Sequence, residues 1–167
     1  HPDESPDPDA AISRVKQLGM NNCFLSLDAY IGKYTAALAE EFNGLLNKYE
    51  IIATTAEVVP GHNVWNFMDG PSTIGLVPRE NRAAKIDALK QTSDFARRLD
   101  IKQIQTHCGF IPENPRNPLY EEAVLAIREV TQHCAGNGQS FLMETGQETP
   151  TTISRTIQDV GQPNLGV

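Results

Sequence analysis

The stretch Phe141-Leu142-Met143-Glu144-Thr145-Gly146-Gln147-Glu148 runs from apolar residues into a carboxylate, then a glycine turn, then the helix start Thr149-Pro150. A buried strand that delivers an acid to its C-terminal edge is how parallel α/β folds place catalytic groups. Taken alone, Glu144 reads equally as a structural carboxylate, exposed at a strand end near the dipole of the next helix. Gln147 and Glu148 sit in the turn before that helix. They could reach substrate hydroxyls or cap the helix, and capping is the role expected of Glu148. His107 stands at the end of another expected strand, and in a parallel sheet it faces the same edge as Glu144. It could hydrogen-bond a substrate oxygen, or be satisfied by a backbone group. Trp65 lies in the longest loop, where it could wall a ligand pocket or pack as a lid. Glu57 ends another strand, and an ordinary polar edge role is expected for it.

Two His-Cys doublets, His107-Cys108 and His133-Cys134, suggest a zinc site. Geometry opposes it. The helix between them runs back antiparallel to its strand, and some 16 helical residues carry His133 roughly 24 Å away.

These residues need elements to position them, and the periodicity supplies a βα rhythm. Asp9 is placed to cap a helix bearing Ala10, Ala11, Ile12, Val15 and Leu18, stopped by Gly19. A strand Cys23-Phe24-Leu25-Ser26-Leu27 follows, then a helix over 34–48 with Leu38, Phe42, Leu45 and Leu46 at helical spacing. A second strand spans 51–59 and closes at Pro60-Gly61. Residues 60–78 form a long irregular connection with His62, Trp65, Phe67 and Asp69, of the length used for lids and binding loops. Pro78-Arg79-Glu80 opens a helix whose apolar face is Ala83, Ile86, Leu89, Phe95 and Leu99. The third strand spans 101–108, and a loop over 109–118 leads to a helix from Leu119 ending at Gly136-Asn137-Gly138. The strand 141–144, a helix over 150–160 and a last strand fragment Asn164-Leu165-Gly166-Val167 complete the pattern.

Such alternation implies a parallel sheet with helices outside it. The first element is a helix with no strand before it, and the last is a fragment of a strand. A closed eight-fold barrel takes about 250 residues, and this chain has 167. Either the fold is a small open α/β sheet or the chain is part of a larger barrel. The two ends favour the second, one partial barrel domain over 1–167 cut at both ends.

Composition narrows the function classes. A formal net charge of −7 opposes duplex nucleic-acid binding, which needs clustered Lys and Arg. No apolar run approaches the roughly 20 residues that span a bilayer. The opening His1-Pro2-Asp3-Glu4-Ser5-Pro6-Asp7-Pro8-Asp9 is acidic and proline-rich, unlike a signal peptide, and is expected to be a solvated loop. Cysteines at 23, 108 and 134 are sparse and odd in number, which suits a reduced, cytoplasmic setting.

Three segments together resemble the sugar-phosphate isomerase/epimerase family with the xylose-isomerase-like TIM barrel. They are Thr106-His107-Cys108-Gly109-Phe110-Ile111-Pro112-Glu113, the stretch from Gly138-Gln139-Ser140 through Glu148, and Val160-Gly161-Gln162-Pro163-Asn164-Leu165-Gly166-Val167. The helix Asp94-Phe95-Ala96-Arg97-Arg98-Leu99 and its lead-in Gly75-Leu76-Val77-Pro78 also fit. The resemblance implies a (β/α)8 barrel, present here as about strands two to six, with a divalent metal (Mn, Mg, Co or Zn) at the strand C-termini. The family's ligands are Glu, Asp, His and Glu from different strand ends. Glu144 matches the first, and the aspartate is expected just after Val167. Such a metal would polarise the carbonyl of a hydroxy-ketose while Glu144 and a partner glutamate exchange the adjacent proton. His107, Trp65, Gln147 and Glu148 become substrate-binding candidates.

The activity implied is isomerisation or epimerisation of a small-molecule sugar or sugar phosphate, with no nucleic-acid or membrane partner and a homo-oligomer left open. A keto-sugar or inositol-derivative dehydratase on the same fold is the alternative. An apurinic endonuclease is opposed by the acidic balance and the lack of an aromatic-basic groove pattern. A chain holding one ligand of four is expected to be inactive by itself.

Overall fold

The structure is a computed structural model that describes residues 7–167, so the opening residues 1–6 of the expected solvated loop lie outside it. Helix α1 (Pro8–Gln17) is capped by Asp7, whose side chain accepts from the Asp9 amide at 3.0 Å. Asp9, expected to be the cap, instead accepts from Lys48 Nζ at 2.9 Å and the Tyr49 hydroxyl at 2.8 Å, which ties α1 to the next helix.

Strand β1 (Asn22–Ser26) passes through a short 3-10 turn (Asp28–Tyr30) to α2 (Ala36–Tyr49), capped by Thr35. Strand β2 (Ile52–Glu57) leads into the long connection, which contains one unexpected helical turn, α3 (Gly70–Thr73). The rest runs α4 (Arg82–Arg98), β3 (Gln103–His107), α5 (Pro118–Gly136), β4 (Ser140–Glu144), α6 (Pro150–Val160) and β5 (Leu165–Gly166).

Helix α4 begins later than its Pro78 lead-in suggests. Asn81 takes a left-handed conformation (φ 57°), so the chain cannot turn helically until Arg82. Ala83 then falls in an exposed first turn, and the buried stripe runs through Ile86, Ala88, Leu89, Thr92, Phe95 and Ala96.

All five strands are parallel and stand in chain order, β1-β2-β3-β4-β5. Sequential neighbours without reversal are the wall of a (β/α) barrel, since a doubly wound sheet reverses at a switch point. Alternation along each strand separates two faces. The register row Leu25, Ala56, Ile104, Phe141, Leu165 is buried throughout against the helices. Beside it, the row Ser26, Glu57, Gln105, Leu142, Gly166 looks the other way, onto a face where Phe24 stays 61% exposed. Between sheet and helices the core is apolar, with Phe95 stacked on Tyr34 at 4.6 Å and edge-on to Phe42. The three cysteines are free thiols, and among the described residues no helix is long and apolar enough to cross a membrane.

Candidate active-site mouth

Beta strands deliver side chains by register, and register sets His107 directly beside Glu144 at the C-terminal ends of β3 and β4. Both belong to the face that carries Glu57 and Ser26. His107 is 4% exposed, and its Nδ1 accepts from the Gly109 amide at 3.1 Å. A neutral imidazole that accepts at Nδ1 carries its proton on Nε2 and is a hydrogen-bond donor there. Glu144 is exposed.

The loop over 60–78 is pinned above His107 by backbone contact with the loop after β3. Leu76 N donates to Cys108 O at 2.8 Å. The approach is so close that a Cβ on Gly75 would lie 2.2 Å from the Cys108 carbonyl carbon, and one on Gly109 would lie 2.4 Å from Ile74 O. Both glycines have positive φ, so no other residue fits without backbone movement. Arg82 reinforces the arrangement by donating to Leu76 O and Val77 O, and with Arg79 it holds Glu122 on α5.

Held in this way, Trp65 meets His107 edge to face at 5.7 Å, and Phe110 lies 6.4 Å from the same imidazole. Trp65, Phe67, Ile74, Phe110 and Gln147 line a pocket of about 160 Å³. Gln147 Oε1 is buried there without a partner among the described residues, an acceptor awaiting a hydroxyl or N–H donor.

Neither Gln147 nor Glu148 caps α6. The cap is Thr149, which accepts from the Thr152 amide at 3.3 Å. Glu148 Oε1 instead accepts from the Ile111 amide at 3.0 Å, so this carboxylate anchors the loop over 109–118. His133 belongs to the helix layer, where Nε2 meets Asp94 at 2.8 Å.

Ser26, Asp28 and Glu57 form an acidic corner that residue-by-residue reading does not reveal. Asp28 accepts from Val59 N at 2.8 Å and from the Ser26 hydroxyl at 3.2 Å. Burial, then the charges of Asp28 and Glu144, push the Glu57 carboxyl above its ordinary value, against a lowering hydrogen bond from Ser26. The available signal was position alone, since Asp28 follows β1 as Glu57 closes β2.

A hard divalent cation needs several oxygen or imidazole donors converging on one point. Among the described residues no group of three or more His, Cys, Asp or Glu side chains is placed to hold a metal. Glu144 offers one suitable carboxylate, and the residues described do not by themselves make a coordination sphere.

A sheet of sequential parallel strands, with side chains gathered at its C-terminal edge, defines the mouth of a β/α barrel. The chain belongs to the xylose isomerase-like TIM barrel family, whose pattern it matches over residues 12–167. It is similar in structure to a xylose isomerase domain protein from Planctomyces limnophilus (TM-score 0.84, 29% identity, 93% of this chain and 56% of that one). A D-psicose 3-epimerase from Clostridium cellulolyticum H10, solved with D-tagatose, gives a TM-score of 0.72 at 14% identity, covering 96% and 57%. A xylose isomerase-like TIM barrel protein from Mycobacterium smegmatis, solved in complex with magnesium, gives 0.71 at 16%, covering 99% and 57%. The chain thus spans a little over half the length of these structures, as a partial barrel. No curated protein matches it in sequence.

Proposed function

We propose that the whole protein is an isomerase or epimerase of a small sugar or sugar phosphate, moving a proton next to a carbonyl through an enediolate. The observation that carries this reading is the register pairing of His107 with Glu144 at one mouth, beneath Trp65 and beside the unpartnered Gln147 oxygen. In this reading Glu144 takes the proton from the carbon adjacent to the carbonyl and is also one ligand of a divalent cation. Its other ligands are not among the described residues. A cation bound at such a mouth supplies carbonyl polarisation. His107 Nε2–H donates to a substrate oxygen and holds it in place. Trp65 offers a flat apolar wall to the C–H face of a sugar, while Gln147 Oε1 accepts from a hydroxyl. Glu148 positions the loop that carries Phe110. The domain is one barrel of which this chain is a part, and the chain alone does not turn over.

The proposal is tested by Glu144→Gln in the whole protein. Conversion of ketohexoses is followed by NMR, and Mn²⁺ binding by electron paramagnetic resonance. Loss of both conversion and Mn²⁺ binding supports the double role. Undiminished Mn²⁺ binding removes Glu144 from the ligand set, and loss of water from substrate in place of epimerisation moves the protein to the dehydratases.

A further inference from the structure

A second cavity, of about 550 Å³, lies between the turn after β2, α3 and the start of α4. It shares no lining residue with the Trp65 pocket. Its wall contains Lys85, which is only 6% exposed. The Lys85 ammonium donates to two neutral acceptors, Gly75 O at 3.0 Å and Thr73 O. An ammonium has three protons, so one donor remains. Among the described residues no carboxylate forms an ion pair with Lys85. Burial pushes its pKa down, with no opposing charge to restore it. A buried charge without a counter-ion is costly and calls for an anion.

The same cavity is bounded by the first turn of α4, a 17-residue helix. Asn81 makes no side-chain capping bond there, and the first turn has no acidic residue. The Arg82 amide already donates to Arg79 O at 3.3 Å, and beyond it a helix start offers an oxyanion first-turn N–H groups and positive dipole charge. Exposed Glu80 is the acidic residue on the rim. Gly61, at φ 95°, lets the Lys85 side chain pass, for a Cβ there would lie 3.1 Å from Lys85 Cε.

We propose that this cavity binds a phosphate group, held by Lys85 and the N-terminal turn of α4. Glu144 does not line this cavity, and the proposal does not depend on the activity assigned to the mouth. Its volume exceeds that of a phosphate ion and accommodates the body of a small phosphorylated metabolite as well.

Isothermal titration and thermal melting of the full chain test this. The probes are inorganic phosphate and fructose 6-phosphate, with fructose and chloride at matched ionic strength as controls. A saturable rise in melting midpoint with phosphate or fructose 6-phosphate, absent with both controls, is expected. Tighter binding of fructose 6-phosphate identifies a metabolite as the ligand, and equal binding identifies the free anion.

The deciding variant is Ala84→Glu, which puts a carboxylate on the cavity wall at an exposed first-turn position that suits the helix dipole. It should fold as the wild type and bind at least roughly ten-fold more weakly. Lys85→Met should also lose the response, although it strands the Thr73 and Gly75 carbonyls. No saturable response to either phosphate probe, or equal binding by wild type and Ala84→Glu, overturns the proposal.

Discussion

The mouth contains two corners built on opposite principles. Around His107 everything is tied down: its Nδ1 by Gly109, the loop above it by Leu76 and Cys108, the loop beside it by Glu148 and Ile111. At Glu144 and Glu57 little is tied, and the charges of Asp28 and Glu144 both bear on Glu57. The tied corner fixes geometry. The loose corner keeps carboxylates available, in the surroundings that shift pKa values and recur at functional sites.

The largest effect should come from breaking the tied corner. Gly75→Ala drives a methyl group into the Cys108 and Gly109 backbone at a positive φ, where neither side can yield cheaply. A loss of more than about 3 kcal/mol is expected, read by chemical denaturation with Trp65 fluorescence as the local probe. A neutral result would mean that the loop is not held against β3.

Next in size is Glu148→Ala, which leaves the Ile111 amide without its acceptor. The expected loss is about 1–2 kcal/mol, with faster amide exchange confined to the loop over 109–118. If Glu148 were instead a helix cap, exchange would rise at the start of α6.

In the loose corner the sign reverses. Glu57 has a raised carboxyl pKa in the fold, so the folded protein holds its proton to higher pH than the unfolded chain. Stability from this group is therefore lost as pH rises through the carboxylate range. Glu57→Gln should stabilise at neutral pH by less than about 1 kcal/mol, given partial exposure. The gain should vanish at pH values below the ordinary glutamate range. Equilibrium unfolding at two pH values checks it, and a pH-independent or destabilising effect would contradict the repulsion. Smallest of all, Glu144→Gln should change stability by no more than about 0.5 kcal/mol, as for an exposed, untied side chain.

What could be read from residues alone follows how local the signal is. The run of Phe141, Leu142 and Met143 into Glu144 is a contiguous pattern, and its strand, its acid and the helix over 150–160 all appear where expected. The strand containing His107 and the βα order are equally local. Nonlocal ties are another matter. Glu148 reads as a cap because α6 begins two residues away in sequence, while its partner Ile111 is 37 residues off. Asp28 reaches Val59 across 31 residues and Glu57 meets Ser26 by strand pairing, so that corner appears only once the register is known. Asp9 and Asn81 show the same limit at helix starts: one is drawn to Lys48 and Tyr49, the other into a left-handed turn.

The contrast between the corners becomes a claim about chemistry at Glu144. The direct test is solvent-deuterium incorporation, by NMR, at the carbon adjacent to the carbonyl of a ketohexose incubated with the whole protein and Mn²⁺ in D₂O. The account predicts incorporation by the wild type and a fall of roughly 10²–10⁴-fold in Glu144→Gln at unchanged stability. Incorporation at the wild-type rate in Glu144→Gln would contradict it.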